Sequence, residues 1–290
     1  MYKKHIYLLK QSLKNIEIIC IDDGSTDNSF KILKKYARLD YRLLIFHQKN
    51  MGSAIAKNLG IKVSKGKFIA FMDSDDFYPN DFTLELMYNN IIRSKVFICG
   101  GGLRTFTQKN KKIKFFDKNN IIFKKNGIIN YSNYQYDYYF PRFIYNKNFL
   151  KKNKIYFPNY LRYEDPPFFI KAMGTAKKFY ALKNYTYMYR ILHKIVKYNE
   201  TIIIDIYKGI RDSLFLSQKM NLNRLYCNVL NRLNTHSFLY QAKTFIKSEK
   251  LKYTIISILK NINKKILKKE NFTFIEKKFY KNLKFTLNLN

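Results

Sequence analysis

Two short apolar runs, each ending in a cluster of aspartates, constrain this chain more than any other feature. Residues 16–21 read Ile-Glu-Ile-Ile-Cys-Ile and lead into Asp22-Asp23-Gly24-Ser25-Thr26-Asp27. Residues 67–72 read Lys-Phe-Ile-Ala-Phe-Met and lead into Asp73-Ser74-Asp75-Asp76. Runs this short, apolar and β-branched read as buried parallel strands. Between them, Phe30, Leu33, Tyr36 and Ala37 recur at helical spacing, residues 43–46 form another strand, and Ala54, Ile55, Leu59 and Val63 mark a helix over 53–64. Gly24 permits a positive φ, and Ser25 or Thr26 is placed to N-cap the first helix. Pro79 is expected to open a third helix, and residues 96–99 a fourth strand before Gly100-Gly101-Gly102. Strands alternating with helices imply βαβ units and a mostly parallel sheet flanked by helices. Such sheets bind ligands beyond the carboxyl ends of their strands. Both acidic clusters should therefore share one sheet edge.

Charge separates this segment from the rest. The chain has 290 residues and a formal net charge of +35. Residues 1–90 hold 14 Lys/Arg and 10 Asp/Glu, whereas residues 91–290 hold 41 and 10. Half of all acids thus lie in the first third, which is where chemistry is expected. A content of 47% hydrophobic residues, with 17% aromatic, is enough for a sizeable core and excludes general disorder. No apolar run approaches the roughly 18–20 residues of a membrane span. Cys20, Cys99 and Cys227 lack CxxC spacing and read as reduced core residues of a cytosolic protein. The basic surplus calls for a polyanionic partner: nucleic acid, acidic lipid or a phosphorylated substrate. Residues 104–200 show a mixed pattern. From 201 onward Leu214, Leu222, Leu225, Leu230 and Leu233 recur without proline, as in a helical region. The expected division is 1–100, 101–200 and a basic helical 201–290.

The acids allow two readings each. Asp73 and Asp75, one residue apart on a loop, suit a hard divalent cation such as Mg²⁺ or Mn²⁺ bridging nucleotide phosphates; equally, they are a solvated turn preceding a helix. Asp22 and Asp23 serve as ligand contacts or as turn formers and caps. Glu164-Asp165 stands out because only four acids lie between 91 and 199. A carboxylate there is a general base held ionised by neighbouring cations, or a helix cap ahead of Pro166.

Taken together, the segments Ile18-Ile-Cys-Ile-Asp-Asp-Gly-Ser-Thr-Asp-Asn-Ser29, Asn50-Met-Gly52, Ala56-Lys-Asn-Leu-Gly60, Gly66-Lys-Phe-Ile-Ala-Phe-Met-Asp-Ser-Asp-Asp76 and Tyr163-Glu-Asp165 resemble family 2 of the inverting glycosyltransferases. The resemblance covers residues 10–195, and the stretch 141–190 looks like bacterial members that build surface polysaccharide or lipooligosaccharide. It implies a GT-A (Rossmann-like) α/β fold and a nucleotide-sugar donor, a UDP-sugar first among them. It further implies a DXD motif with a Mn²⁺ or Mg²⁺ cofactor, and a glycan or lipid-linked acceptor. By resemblance, Asp23 with Asp22, Gly24 and Ser25 would form the nucleotide side, Lys57 would stand near the nucleotide, and Asp73 would face the sugar or ribose. Asp75, with Asp73, would ligate the metal, and Asp165 would deprotonate the acceptor. Tyr163, Glu164 and Arg190 would help bind acceptor or diphosphate.

The resemblance also implies a departure. Family members begin with a strand central to the sheet, and this chain starts within the helix that follows it, around Leu9–Glu17. An N-terminally truncated sheet with unpaired edges on both neighbours is the expectation. The alternatives that follow are a start assigned too late and a truncated, inactive homologue. Without a helix-turn-helix, zinc or RNP-type signature, nucleic acid is not the expected partner. The basic excess points instead to the anionic inner face of the cytoplasmic membrane, with the protein cytoplasmic and peripheral there.

Overall fold

A computed structural model describes residues 8–109, 112–192, 197–245 and 247–272. The chain divides into two compact units. The first comprises Met1–Asn133, Tyr139–Tyr156 and Ala172–Ile195, and the second Tyr134–Tyr138, Phe157–Lys171 and Val196–Asn290.

The first unit opens with the anticipated alternation: β1 (Ile18–Asp23), α1 (Ser29–Ala37), β2 (Leu43–Gln48), α2 (Ser53–Val63), β3 (Phe68–Ala70) and α3 (Thr83–Ser94). Then come β4 (Ile98–Lys109), β5 (Lys112–Ile121), β6 (Gly127–Asn130), α4 (Tyr131–Tyr134), a 3-10 turn at Phe140–Arg142, β7 (Phe143–Asn146) and α5 (Lys147–Lys152). Helix α6 (Asp165–Ala176), which belongs to the second unit as far as Lys171, is followed by β8 (Lys178–Arg190).

The sheet is mixed rather than mostly parallel. β1 and β2 form a parallel pair in the register Ile18↔Leu43 to Asp23↔Gln48. The larger sheet runs β3-β7-β4-β8-β6, with β5 also on β4. Only β4 and β8 are parallel there; β3–β7, β4–β7, β4–β5 and β6–β8 are antiparallel. The sequence pattern misled because β5, β6 and β7 follow hairpins and short turns; β4 and β8, each preceded by a long helix, are the pair that is parallel. Among the described residues β1 pairs with β2 alone and β3 with β7 alone. β1 is only half-buried, with Ile18 and Asp22 its buried positions. The starts of the two strands are linked by Glu17, whose carboxylate accepts the Lys65 and Gly66 amides at 2.6 Å each.

Two other expectations shift. Pro79 does not open α3; Asn80 does the work of an Asx turn, its side chain accepting the Phe82 amide at 3.0 Å and the Thr83 hydroxyl at 3.1 Å. Buried Gln11 completes this end, accepting the Leu84 amide at 3.1 Å and donating to the Asn80 carbonyl at 2.9 Å. The boundary expected after residue 100 falls inside β4, because Gly100-Gly101-Gly102 are strand residues. A Cβ on Gly101 would meet the Asn184 carbonyl at 2.2 Å, and one on Gly100 the Arg142 carbonyl at 2.3 Å. The glycines thus let β7 and β8 approach β4 more closely than side chains allow.

The core of this unit joins α3 (Met87, Ile91) to β4 (Cys99, Leu103) and β8 (Leu182, Tyr187), with Leu13, Ile16, Phe68 and Met72 packed against it. Burial pushes the Cys99 thiol up to about 12 and that of Cys20 to about 11. Both behave as apolar core residues, not as reactive thiols.

The second unit is helical from 200 onward, as expected: α7 (Glu200–Lys219), α8 (Asn223–Arg232), α9 (His236–Thr244), α10 (Glu249–Lys260) and α11 (Lys264–Lys269). Asn199, Ser248 and Asn263 cap α7, α10 and α11 through their side chains. Residues 273–290, the rest of the expected basic helix or tail, lie outside the described residues.

Candidate active site

The carboxyl end of β1 carries Asp22 and Asp23 side by side, but they do different things. The Asp22 side chain is 1% exposed and bonds His47 Nδ1 on β2 at 2.7 Å; the His47 ring lies 4.8 Å from that of Phe30. Asp23 uses both oxygens within the fold. Oδ1 accepts Gln48 Nε2 at 2.7 Å and the Met51 amide at 2.9 Å, and Oδ2 accepts the Gly52 amide at 2.9 Å. Gly52 is the N-cap residue of α2 and has no side chain to offer. Asp23 therefore holds the turn that enters α2 from the neighbouring strand, through the two amides just ahead of the helix; the sequence allowed it either a ligand contact or a turn and cap role. Gly24 takes φ 72°, as anticipated. Ser25 is exposed and caps nothing: α1 starts at Ser29, whose amide goes to Asp27 Oδ1 at 2.9 Å. Lys57, on α2, sets its ammonium 4.9 Å above the Phe140 ring.

The second acidic cluster is built more tightly. Asp73 and Asp75 are half-buried, whereas Asp76 is buried. Asp76 accepts the Arg190 amide (Oδ1, 2.8 Å) and the Tyr187 hydroxyl (Oδ2, 2.8 Å). The same Tyr187 oxygen accepts the Asp73 amide at 3.1 Å. Phe77 and Met188 exchange backbone hydrogen bonds at 3.3 and 2.9 Å, and the Asp76 amide closes the turn on the Asp73 carbonyl at 3.0 Å. The turn 73–76 is thus riveted to the end of β8. Burial pushes the Asp76 carboxyl up to about 8, the charges of Asp73 and Asp75 adding to it while the Arg190 amide and Tyr187 hydroxyl oppose it. Arg190 itself contributes its backbone here. Its guanidinium Nη2 reaches the Gln108 carbonyl at 3.4 Å, and its buried Nε has no partner.

Among the described residues no group of three or more His, Cys, Asp or Glu is arranged to hold a metal. The turn offers two hard oxygen donors, Asp73 and Asp75, with Asp76 withdrawn into the fold. That set does not make a closed cage. It does fit a cation that takes the remainder of its shell from a diphosphate and water, the usual habit of Mg²⁺.

In the second unit, Asp165 is half-buried at the first position of α6, where amide dipoles favour negative charge, with Pro166 next. Glu164 is 6% exposed. Tyr163 has a left-handed backbone, φ 68°, and its hydroxyl accepts Arg232 Nη1 at 2.6 Å. Its hydroxyl is therefore engaged by the fold rather than presented to an acceptor. His47, Tyr187 and Arg232 were not anticipated, nor was the anchoring role of Asp76, which the sequence marked only as a member of the cluster. A partner distant in sequence, with no motif of its own, leaves no local signal.

The architecture is that of a GT-A transferase. It matches the crystal structure of S. aureus TarS 1-349 in complex with UDP-GlcNAc at a TM-score of 0.71 and 21% identity, covering 91% of this chain and 78% of that one. The Glycosyl transferase family 2 model matches residues 7–154, and the chain belongs to that family. Among curated relatives, glycosyltransferase GlyG of Streptococcus pneumoniae is 37% identical over 111 residues, 38% of this chain and 36% of that protein. The uncharacterized glycosyltransferase EpsJ of Bacillus subtilis is 28% identical over 191 residues, 63% of this chain and 55% of that protein. Glycosyltransferase GlyA of S. pneumoniae is 36% identical over 101 residues, 14% of its length. The match thus spans between 14% and 55% of these relatives.

Proposed function

We propose that this chain transfers a sugar from a UDP-sugar to a glycan or lipid-linked acceptor, with inversion, in bacterial surface-polysaccharide assembly. The observation that carries the reading is the turn at 73–76. Asp76 anchors it through Arg190 and Tyr187, and Asp73 and Asp75 stand half-buried on that support at the carboxyl end of a strand. A TarS structure holding UDP-GlcNAc supports the donor class.

In this reading Asp73 and Asp75 would hold Mn²⁺ or Mg²⁺, which supplies charge neutralisation for the departing diphosphate. Lys57 and Arg190 add positive charge on the donor side. Asp165 takes the proton from the acceptor hydroxyl as its oxygen bonds the anomeric carbon. The bond from that carbon to the phosphate oxygen breaks in the same displacement, and UDP leaves with its electrons. A carboxylate at a helix N-terminus suits a base that must be ionised beforehand.

The test is transfer of radiolabel from UDP-sugars to a membrane-lipid extract. EDTA and Asp75→Ala should each abolish it, and Asp165→Asn should lower it by about 10²-fold or more, the scale of a lost general base. Activity indifferent to all three overturns the assignment.

A further inference from the structure

The segment entering α6 is held far more firmly than a surface loop needs to be. Three residues of α7 one face apart do part of this: Asp205, Gly209 and Asp212 follow i, i+4, i+7 spacing. Asp205 Oδ2 accepts the Leu161 amide at 3.0 Å, and Asp212 Oδ2 accepts the Tyr160 hydroxyl at 2.6 Å. Gly209 lies under Tyr163, where a Cβ would stand 2.6 Å from the Tyr163 carbonyl oxygen.

The remaining hold is a buried charge network. Arg232, at the end of α8, forks onto Asp137 with two bonds of 2.7 Å and donates its third to Tyr163 at 2.6 Å. Its guanidinium lies 4.3 Å from the Tyr138 ring centroid. Asp137 is 1% exposed. The Tyr163 ring meets Tyr138 and Phe238 edge-on. Burial raises the Tyr163 hydroxyl well above its ordinary range, Arg232 acting against it.

Stability alone does not account for this arrangement. Removing an ion pair from water costs more than apolar packing of equal volume, so such pairs persist where a unique geometry matters. A tyrosine in the left-handed region is strained, and strain of this kind collects at functional sites. Here both features converge on the residue immediately before Glu164 and Asp165.

We propose that Arg232, acting through Tyr163, is a positioning residue for the Asp165 carboxylate. The helical C-terminal unit is then a template for the base loop rather than an appendage. This rests on Asp165 being the base. The bond from Arg232 fixes Tyr163 in its left-handed state, and that state sets the direction in which the chain enters α6.

The test compares Tyr163→Phe, Arg232→Met and Arg232→Lys with Asp165→Asn and the wild type. Transfer from UDP-sugars to membrane-lipid extract gives kcat and donor KM. UDP titration and thermal unfolding report the fold. Tyr163→Phe removes only the hydroxyl, so it remains informative should Arg232→Met unfold. Tyr163→Phe and Arg232→Met are expected to lower kcat by about 10-fold or more, with donor KM and UDP affinity within about twofold, since small displacements of a reacting group cost this much. Arg232→Lys, which retains a donor for Tyr163, should recover part of kcat. Transfer that survives Asp165→Asn overturns the base assignment and this inference together. Transfer lost in Asp165→Asn but unchanged in Tyr163→Phe overturns the inference alone. So does a loss in which kcat falls only as far as thermal stability and UDP affinity fall with it.

Discussion

At the scale of single residues, the acidic clusters show that neighbouring aspartates divide labour by burial. Asp76 faces inward and anchors, whereas Asp73 and Asp75 are half-buried. Tyr187 is the residue on which this division depends, because its hydroxyl accepts the Asp73 amide and donates to Asp76. Tyr187→Phe keeps the ring in the core but strands two buried polar groups. It should cost about 1–3 kcal/mol, the scale of a buried group left unsatisfied, measurable by urea unfolding. A ligand that depends on the turn should also suffer, so the donor KM should rise. An unchanged KM would mean that the turn holds its shape without the rivet. None of this was legible in advance. The string Asp-Ser-Asp-Asp announces a cluster, yet which member turns inward is decided by a tyrosine on a strand over 100 residues later, and sequence spacing does not encode that contact.

At the scale of elements, legibility followed how local the determinants were. β1, β2, α1 and α2 were readable because apolar periodicity sets them, and their bounds moved by only one or two residues. β4 was readable only at its start, because the three glycines that follow look like a loop until β7 and β8 are seen closing on them. Asp23 shows the same limit within one element pair. The sequence places it at a strand end, and only the β1–β2 register carries it to the start of α2. The anchoring of that turn predicts a specific ordering. Asp23→Ala should lose about 1–3 kcal/mol, the scale of hydrogen bonds lost from a charged acceptor, with Asp23→Asn retaining most of the stability. UDP calorimetry on the same variants separates the two roles. If Asp23 also contacts the base, Asp23→Asn will weaken UDP despite a stable fold. If holding the turn is its whole task, UDP affinity will follow stability.

At the scale of the whole molecule, part of the charge excess sits on well-folded helices. Residues 247–272 carry eight lysines and two glutamates, one of which, Glu249, is paired with Lys252 at 2.6 Å. Lys250, Lys260, Lys264, Lys265, Lys268 and Lys269 are exposed, and Tyr253 is 70% exposed on α10. These are not charges on a loose tail. Ile266 is buried, Asn263 caps α11 through Ile266, and the Asn263 amide donates to Tyr226 on α8 at 2.9 Å. Among the described residues no helix is long and apolar enough to cross a membrane. The membrane role proposed for this chain would draw on these exposed lysines. Lysines near an anionic bilayer contribute about 1 kcal/mol each, an attraction confined to roughly a Debye length of 8 Å at physiological salt. Sedimentation with phosphatidylglycerol vesicles should therefore be strong at low salt and fall steeply as salt rises. Pure phosphatidylcholine vesicles should retain little. Reversing Lys264, Lys265, Lys268 and Lys269 to Glu should weaken binding at least tenfold without changing UDP affinity. Binding that ignores lipid charge, or that survives this reversal, would locate membrane contact elsewhere and leave the lysines of α11 without that role.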